Sequence, residues 1–183
     1  MRLFVAVDLS DEVRDRMENV LKTFKDFKGV KAVEKENLHI TLMFLGEVPD
    51  RRVEIVKEKL KEIKAEPFKI KLKGLGSFPP QGNIRVVWVG VEDDGENLKM
   101  LADAVESSLR SLGFRRDKEF VAHATVARVK RLAPSDREKL LRAVERYRDY
   151  DFGEMIVENF RLKKSTLTPK GPIYEDLEVY ELG

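Results

Sequence analysis

One short pattern, a histidine followed two residues later by a threonine, occurs twice and accounts for both histidines of this 183-residue chain. The copies are His39-Ile40-Thr41 and His123-Ala124-Thr125, and each lies in an apolar stretch typical of a β-strand. Threonine supplies only 5 of the 183 residues, so two such pairs are not expected by chance. Because residues i and i+2 of a strand face the same side, each copy places an imidazole beside a hydroxyl.

The elements around the two copies repeat, and this repetition constrains the fold. Each copy is followed by an amphipathic helical pattern, and the two histidines lie 84 residues apart. We therefore expect one bilobal α+β domain over residues 1–183, with one H-x-T motif in each lobe beside a central groove. Two mainly antiparallel sheets would carry flanking helices. The predicted strands cover residues 2–8, 38–46, 68–75, 84–91, 119–129, 154–164 and 174–181.

Helices are predicted between these strands from the spacing of apolar residues. The first begins after Ser10, a good N-cap, and is expected to end at Gly29. The second follows Pro49, the third precedes Gly113, and the fourth begins at Pro134.

Both motif strands show the same alternation of apolar and polar residues. In the first, Leu38, Ile40 and Leu42 are expected to face the core, whereas His39, Thr41 and Met43 face the groove. Histidine titrates near neutral pH, so one imidazole can accept a proton while the other donates one. The threonine hydroxyls can bind the oxygens on which transition-state charge develops. The pattern therefore predicts metal-free chemistry at a phosphate ester; two structural histidines are the alternative.

Several other classes of site are disfavoured by what the sequence lacks. There is no cysteine, and two histidines without an H-E-x-x-H pattern make a zinc site a poor interpretation. Neither a G-x-S-x-G elbow nor a P-loop is present, which argues against a serine hydrolase and an ATP-driven ligase. We expect no metal and no cofactor.

Composition adds three expectations. A net charge of +2 does not indicate general affinity for nucleic acids. The N-terminus lacks a signal-peptide pattern and no apolar run approaches the ~20 residues of a membrane span, so a cytoplasmic protein with no membrane partner is expected. Charged residues make up 37% of the chain and glutamine occurs once, a bias found in proteins of thermophiles.

The order of short motifs along nearly the whole chain resembles the 2H phosphoesterase superfamily. Within it, the chain resembles the RNA 2′,3′-cyclic phosphodiesterases, long called 2′-5′ RNA ligases. Each motif alone is weakly specific, whereas their combined order and spacing are specific. The resemblance is carried by residues 2–7, 37–46, 85–90, 123–130 and 165–174.

This resemblance implies hydrolysis of a terminal 2′,3′-cyclic phosphate to a 2′-phosphomonoester, with weak ATP-independent 2′-5′ ligation in reverse. It implies a basic groove between the lobes and RNA ends as substrates, tRNA fragments among them, for a monomeric enzyme. His39, Thr41, His123 and Thr125 match the family's catalytic quartet. We assign His123 as the base that activates water and His39 as the acid at the 3′ oxygen, although the sequence does not fix that order.

Two further residues match the family but do not suit a regular strand. Arg128 matches the arginine that holds the phosphate, and Phe44 matches an aromatic side chain near the terminal nucleobase. Both lie five residues after a motif histidine, so a regular strand would turn them away from the groove. They can contribute only if each strand bulges or ends there. A solvated arginine and a core phenylalanine are the alternatives.

Other residues are weaker candidates for the site. Arg85, Lys130 and Arg131 could extend a phosphate-binding surface, although isolated charges are more often simply solvated. Trp88 could stack on a base, although a single tryptophan in an apolar strand is more often part of the core.

Two other functions remain open at this point. One is an RNA-end binding protein with little turnover, which would need the basic groove but no matched acid–base pair. The other is a phosphodiesterase for a small cyclic nucleotide phosphate, which would share both motifs and differ only in the length of its preferred substrate.

Overall fold

A computed structural model describes all 183 residues of the protein as nine strands and five α-helices. The strands are β1 (Arg2–Asp8), β2 (Val30–Ala32), β3 (His39–Glu47), β4 (Phe68–Phe78), β5 (Val86–Glu92), β6 (His123–Val129), β7 (Asp151–Val157), β8 (Asn159–Thr168) and β9 (Gly171–Glu181). The helices are α1 (Asp11–Arg16), α2 (Glu18–Lys25), α3 (Asp50–Lys61), α4 (Asn97–Leu109) and α5 (Pro134–Arg146).

The strands form one antiparallel path in two matched halves. The order along the path is β7-β4-β5-β6-β3-β1-β8-β9, and β2 also pairs with β6. In one half β3, β1, β8 and β9 carry α3 and α4, and in the other β6, β5, β4 and β7 carry α1, α2 and α5. The two halves are joined through a single residue pair between β3 and β6. The predicted α+β class, with antiparallel strands and flanking helices, is confirmed, but the strands form one continuous sheet instead of the two that were expected.

A continuous core runs through both halves and fixes the motif strands in place. It comprises 42 buried apolar residues. Ile40 and Ala124, the central residues of the two tripeptides, are both fully buried. The apolar side of each motif strand is therefore anchored, as the alternation predicts, and its polar side is left to line the groove.

Several predicted boundaries are wrong. The predicted strand over 154–164 is two strands, because the chain leaves one half and enters the other at Glu158. The first helix is capped by Ser10 as predicted, but it is interrupted at Met17 and ends at Lys25. β2 was not predicted; it is three residues long, too short to show a period.

The turn before β2 depends on Gly29. Its φ is +82°, and a Cβ built there would lie 1.6 Å from the carbonyl oxygen of Arg131. Only glycine tolerates both this left-handed backbone and this approach to another main chain. The turn brings β2 against β6, beside the second motif.

Candidate active site

The two tripeptides lie side by side on neighbouring strands and pair at their central residues. Ile40 pairs with Ala124 in antiparallel register, and both side chains point into the core. The motif histidines and threonines therefore share the opposite face of the sheet. Antiparallel register also places His39 on the side of Thr125 and His123 on the side of Thr41. The structure thus brings together the four side chains that the sequence singles out.

The His39 ring is oriented by two hydrogen bonds. Its Nδ1 lies 2.7 Å from the carbonyl oxygen of Asn37 and its Nε2 lies 3.0 Å from Oγ1 of Thr41. A carbonyl oxygen can only accept, so Nδ1 carries the hydrogen. In the neutral ring Nε2 is then the acceptor, and the Thr41 hydroxyl donates to it.

The His123 ring is oriented by the equivalent bond. Its Nδ1 lies 2.7 Å from the carbonyl oxygen of Val121, which again is two residues before the histidine. The same argument places the hydrogen on Nδ1. In each half the Nδ1 hydrogen is thus held by the main chain; Nε2 of His39 meets the Thr41 hydroxyl, whereas Nε2 of His123 forms no hydrogen bond.

Aromatic rings enclose His39. The centroid of its ring lies 5.2 Å from that of Phe4 and 5.4 Å from that of Tyr174. Burial lowers the pKa of His39, while the Asn37 carbonyl and the Asp8 carboxylate act in the opposite direction. The net shift is downward and favours the neutral ring at neutral pH.

His123 has its own aromatic neighbours. Its ring centroid lies 5.3 Å from that of Phe78 and 6.4 Å from that of Trp88. Trp88 occupies this place because Gly76 has no side chain: a Cβ there would lie 2.3 Å from the indole ring. Trp88 is therefore a groove-side neighbour of His123, and Phe78 is partly exposed beside it.

A bulge after each motif carries the next polar or aromatic side chain onto the groove face. Between Ala6 and Val5 of β1, the partner on β3 changes from Thr41 to Met43, so Leu42 is the extra residue. Met43 is consequently buried, contrary to the expectation from strict alternation, and Phe44 is 65% exposed.

The second motif has a β-bulge at the equivalent position. The β6 partners of Trp88 and Val87 on β5 are Thr125 and Ala127, so Val126 is the extra residue. Arg128 is then an exposed residue on the groove face. The bulges required by the odd offsets of Phe44 and Arg128 are thus present, three residues after each histidine.

The charge of Arg128 acts on groups in the other half of the molecule. Its positive charge lowers the pKa of His39 and also opposes the rise that burial causes in the pKa of Tyr174. It forms no ion pair with a carboxylate, so its guanidinium donors remain free. A free guanidinium on the groove face is suited to planar, bidentate binding of phosphate.

An ion-pair network lies beside His39 and was not predicted. Asp8 pairs with His39 in the β1–β3 register. Its carboxylate lies 3.0 Å from the buried Lys163 ammonium, 3.6 Å from Arg161 and 3.8 Å from Arg14. Asp8 and Lys163 are 155 residues apart in sequence, so no local pattern could have shown this contact.

Three of the four aromatic neighbours of the histidines were missed for the same reason. Phe4, Tyr174 and Phe78 lie on β1, β9 and β4 and reach the motifs only through sheet pairing.

Nowhere in the structure is a group of three or more histidine, aspartate or glutamate side chains arranged to hold a metal ion. None of the helices is long and apolar enough to cross a bilayer.

Comparison with known proteins agrees with a duplicated fold. The family model for LigT-like phosphoesterases matches the chain twice, at residues 7–88 and 89–174. A protein of Archaeoglobus fulgidus named RNA 2′,3′-cyclic phosphodiesterase is 53% identical over 99% of this chain and all of its own length.

Solved structures show the same architecture. The crystal structure of the Thermus thermophilus protein TT0787 superposes with a TM-score of 0.83 at 34% identity, covering 99% of this chain and 97% of that one. Escherichia coli LigT complexed with 3′-AMP gives a TM-score of 0.79 at 25% identity, with the same coverage of both chains.

Fold and duplication together define a two-lobed phosphoesterase, which is a hydrolytic enzyme. The chain belongs to the LigT-like phosphoesterase family.

Proposed function

We propose that this protein hydrolyses the 2′,3′-cyclic phosphate at the end of an RNA to a 2′-phosphomonoester by metal-independent acid–base catalysis. One observation carries the proposal: each half presents an imidazole Nε2 on the same face of the sheet, with the Nδ1 hydrogen held by a main-chain carbonyl. The Archaeoglobus relative's name and the nucleotide bound to Escherichia coli LigT support this choice of substrate.

Opening the cyclic ester requires two proton transfers on opposite sides of phosphorus. A base removes a proton from the attacking water, and an acid protonates the departing 3′ oxygen. His39 and His123 belong to different halves and can take these two positions. Thr41, Thr125 and Arg128 are the groups that would bind the non-bridging oxygens, whose negative charge grows in the transition state.

The position of Phe44 supports an order for the two histidines. Phe44 is largely exposed beside Phe4, which contacts His39, so a nucleobase stacked on Phe44 places its ribose on the His39 side. His39 then protonates the 3′ oxygen, and His123 activates water on the other side. The negative charge of a bound phosphate favours the protonated form of His39 and prepares it to donate.

Ligation of a second RNA would use the same groups, with a different nucleophile. A 5′ hydroxyl in place of water would attack the cyclic phosphate, His123 would take its proton, and the 3′ oxygen would leave with a proton from His39. The product is a 2′-5′ phosphodiester with a free 3′ hydroxyl, and the strain of the cyclic ester replaces ATP as the driving force. We propose this ligation as a weak side activity.

The identity of the product tests the proposal. A short RNA ending in a 2′,3′-cyclic phosphate is incubated with the protein in excess EDTA, and the product is followed by ³¹P NMR. A single 2′-phosphomonoester is expected. A 3′-phosphomonoester would mean that the wrong oxygen leaves, and binding without turnover would favour an RNA-end binding protein instead. Incubation with a 5′-hydroxyl RNA and no ATP tests the ligation.

A further inference from the structure

A cationic cleft lies outside the groove, where β5 begins, β6 ends and α5 begins. It has a volume of about 240 Å³, and its lining includes Arg85, Lys130, Arg131 and Arg137 but no acidic residue. All four cationic side chains are exposed, and none forms an ion pair with a carboxylate. A second cleft, beside α1, has a mixture of acidic and basic side chains. The concentration of a single sign of charge therefore sets the first cleft apart.

The main chain holds two edges of the cationic cleft rigidly. The amide of Val129 donates to the carbonyl oxygen of Arg85 at 2.8 Å. The amides of Lys130 and Arg131 both donate to the carbonyl oxygen of Gly29, at 2.8 and 3.0 Å. The segments that carry three of the four cations are thus fixed, and a polyanion would bind without first ordering them.

The cleft continues directly from the groove. Arg128 lies on the groove face of β6, and Lys130 lies two residues further along the chain, just past the end of that strand. Two residues of a strand rise about 6.6 Å, a step comparable to the separation of successive phosphates in an extended RNA strand. An RNA with its terminal phosphate at Arg128 can therefore bring its preceding phosphates to the cleft.

We propose that the cationic cleft binds the backbone phosphates of the RNA that precedes the cyclic end, an inference that rests on the proposed function. Phosphate contacts of this kind position a strand without reading its sequence. The enzyme would then prefer an oligonucleotide over a mononucleoside 2′,3′-cyclic phosphate. This preference separates it from a phosphodiesterase dedicated to small cyclic nucleotides.

Two substrates and two charge-matched variants test the proposal. The cleft variant is Arg85→Gln with Arg137→Gln, which leaves Arg128 and the groove untouched. The control is Arg51→Gln with Lys64→Gln, two exposed and unpaired cations near opposite ends of α3. For each protein, kcat/KM is measured on a mononucleoside 2′,3′-cyclic phosphate and on an octanucleotide ending in the same group, over a range of salt concentrations.

The cleft variant is expected to lose about tenfold in kcat/KM on the octanucleotide at low salt and to be unchanged on the mononucleoside substrate. Its slope of log kcat/KM against log salt should become shallower by about 1.4, because each phosphate contact on a single strand contributes about 0.7. The control should match the wild type on both substrates.

Three outcomes would overturn the inference. They are an unchanged octanucleotide rate, an equal loss on both substrates, and an equal loss in the control variant. Loss of inorganic tripolyphosphate binding with RNA turnover intact would likewise overturn it, by assigning the cleft to a free anion. If the wild type turns over neither substrate, the proposed function itself fails, which is a separate result; anisotropy of the labelled octanucleotide then still reports whether the cleft binds RNA.

Discussion

Ile40 and Ala124 form the one residue pair that joins β3 to β6, and each is the middle residue of a His-x-Thr tripeptide. The two halves of the sheet therefore meet at the centre of the candidate active site. Because both residues are fully buried, any change in how the halves join would move all four motif side chains together. The relative placement of the two motifs is thus set by this one strand contact.

The assignment of acid and base predicts selective rescue by a sulfur substrate. In a cyclic phosphate whose bridging 3′ oxygen is replaced by sulfur, the 3′ sulfur leaves as a thiolate. A thiolate leaving group needs no proton from an acid. His39→Ala should therefore hydrolyse the sulfur substrate at close to the wild-type rate, whereas His123→Ala should stay inactive on it. Steady-state rates on the oxygen and sulfur substrates check this, and rescue of His123→Ala alone would reverse the order.

The lowered pKa of His39 predicts a pH dependence of folding stability. Unfolded histidine titrates near 6.5, above the pKa of His39 in the folded protein. As pH falls below 6.5 the unfolded chain binds the proton first, so the folded state loses stability until pH reaches the folded pKa. Urea unfolding at pH values from about 7.5 to about 5 should show the wild type losing stability relative to His39→Gln. Parallel curves would contradict the burial of this ring, since carboxylates titrate alike in both proteins.

The contribution of Arg128 to catalysis should depend on the planar shape of its guanidinium as well as on its charge. We expect Arg128→Gln to lower kcat/KM about 10²- to 10³-fold, as loss of a transition-state donor typically does. Arg128→Lys should recover only part of this, because an ammonium cannot bind two oxygens in one plane. Removing the charge should also raise the pKa of His39, which NMR titration measures. Full activity of the lysine variant would contradict bidentate binding.

Phe44 should affect binding of the nucleobase and not the chemical step. Phe44→Leu is expected to raise KM about 5- to 150-fold with kcat unchanged, given that stacking of one base contributes about 1–3 kcal/mol. Because the ring is 65% exposed, thermal unfolding should barely change. Met100→Ala on α4, 64% exposed, is the matched control. A fall in kcat with KM unchanged would remove Phe44 from the base site.

The residues that sequence could identify are those whose role is encoded locally. The alternation of Leu38, His39, Ile40 and Thr41 sets the groove face without knowledge of any partner strand. The odd offsets of Phe44 and Arg128 required each strand to bulge or to end, because no regular strand could serve both residues and the histidines. The sequence did not indicate which residue would bulge, and Met43 was placed on the wrong face as a result.

The remaining parts of the site depend on contacts between distant strands. Tyr174 reaches His39 through the pairing of β9 with β8 and of β8 with β1. Phe78 lies beyond the predicted strand over 68–75, but β4 extends through it because that segment pairs with β5. Such positions are set by sheet order and register, which a single sequence does not specify.

The most direct test of the two-histidine mechanism is the rate of hydrolysis of a cyclic-phosphate RNA by the wild type, His39→Ala, His123→Ala and the double variant, all in excess EDTA. Each single variant should lose about 10²- to 10⁴-fold in kcat, and the double variant should be little worse, because the two groups act as a unit. Circular dichroism should show all four folded. A single variant that retains a tenth of the activity, or a wild type that EDTA inactivates and a divalent metal restores, would contradict the mechanism.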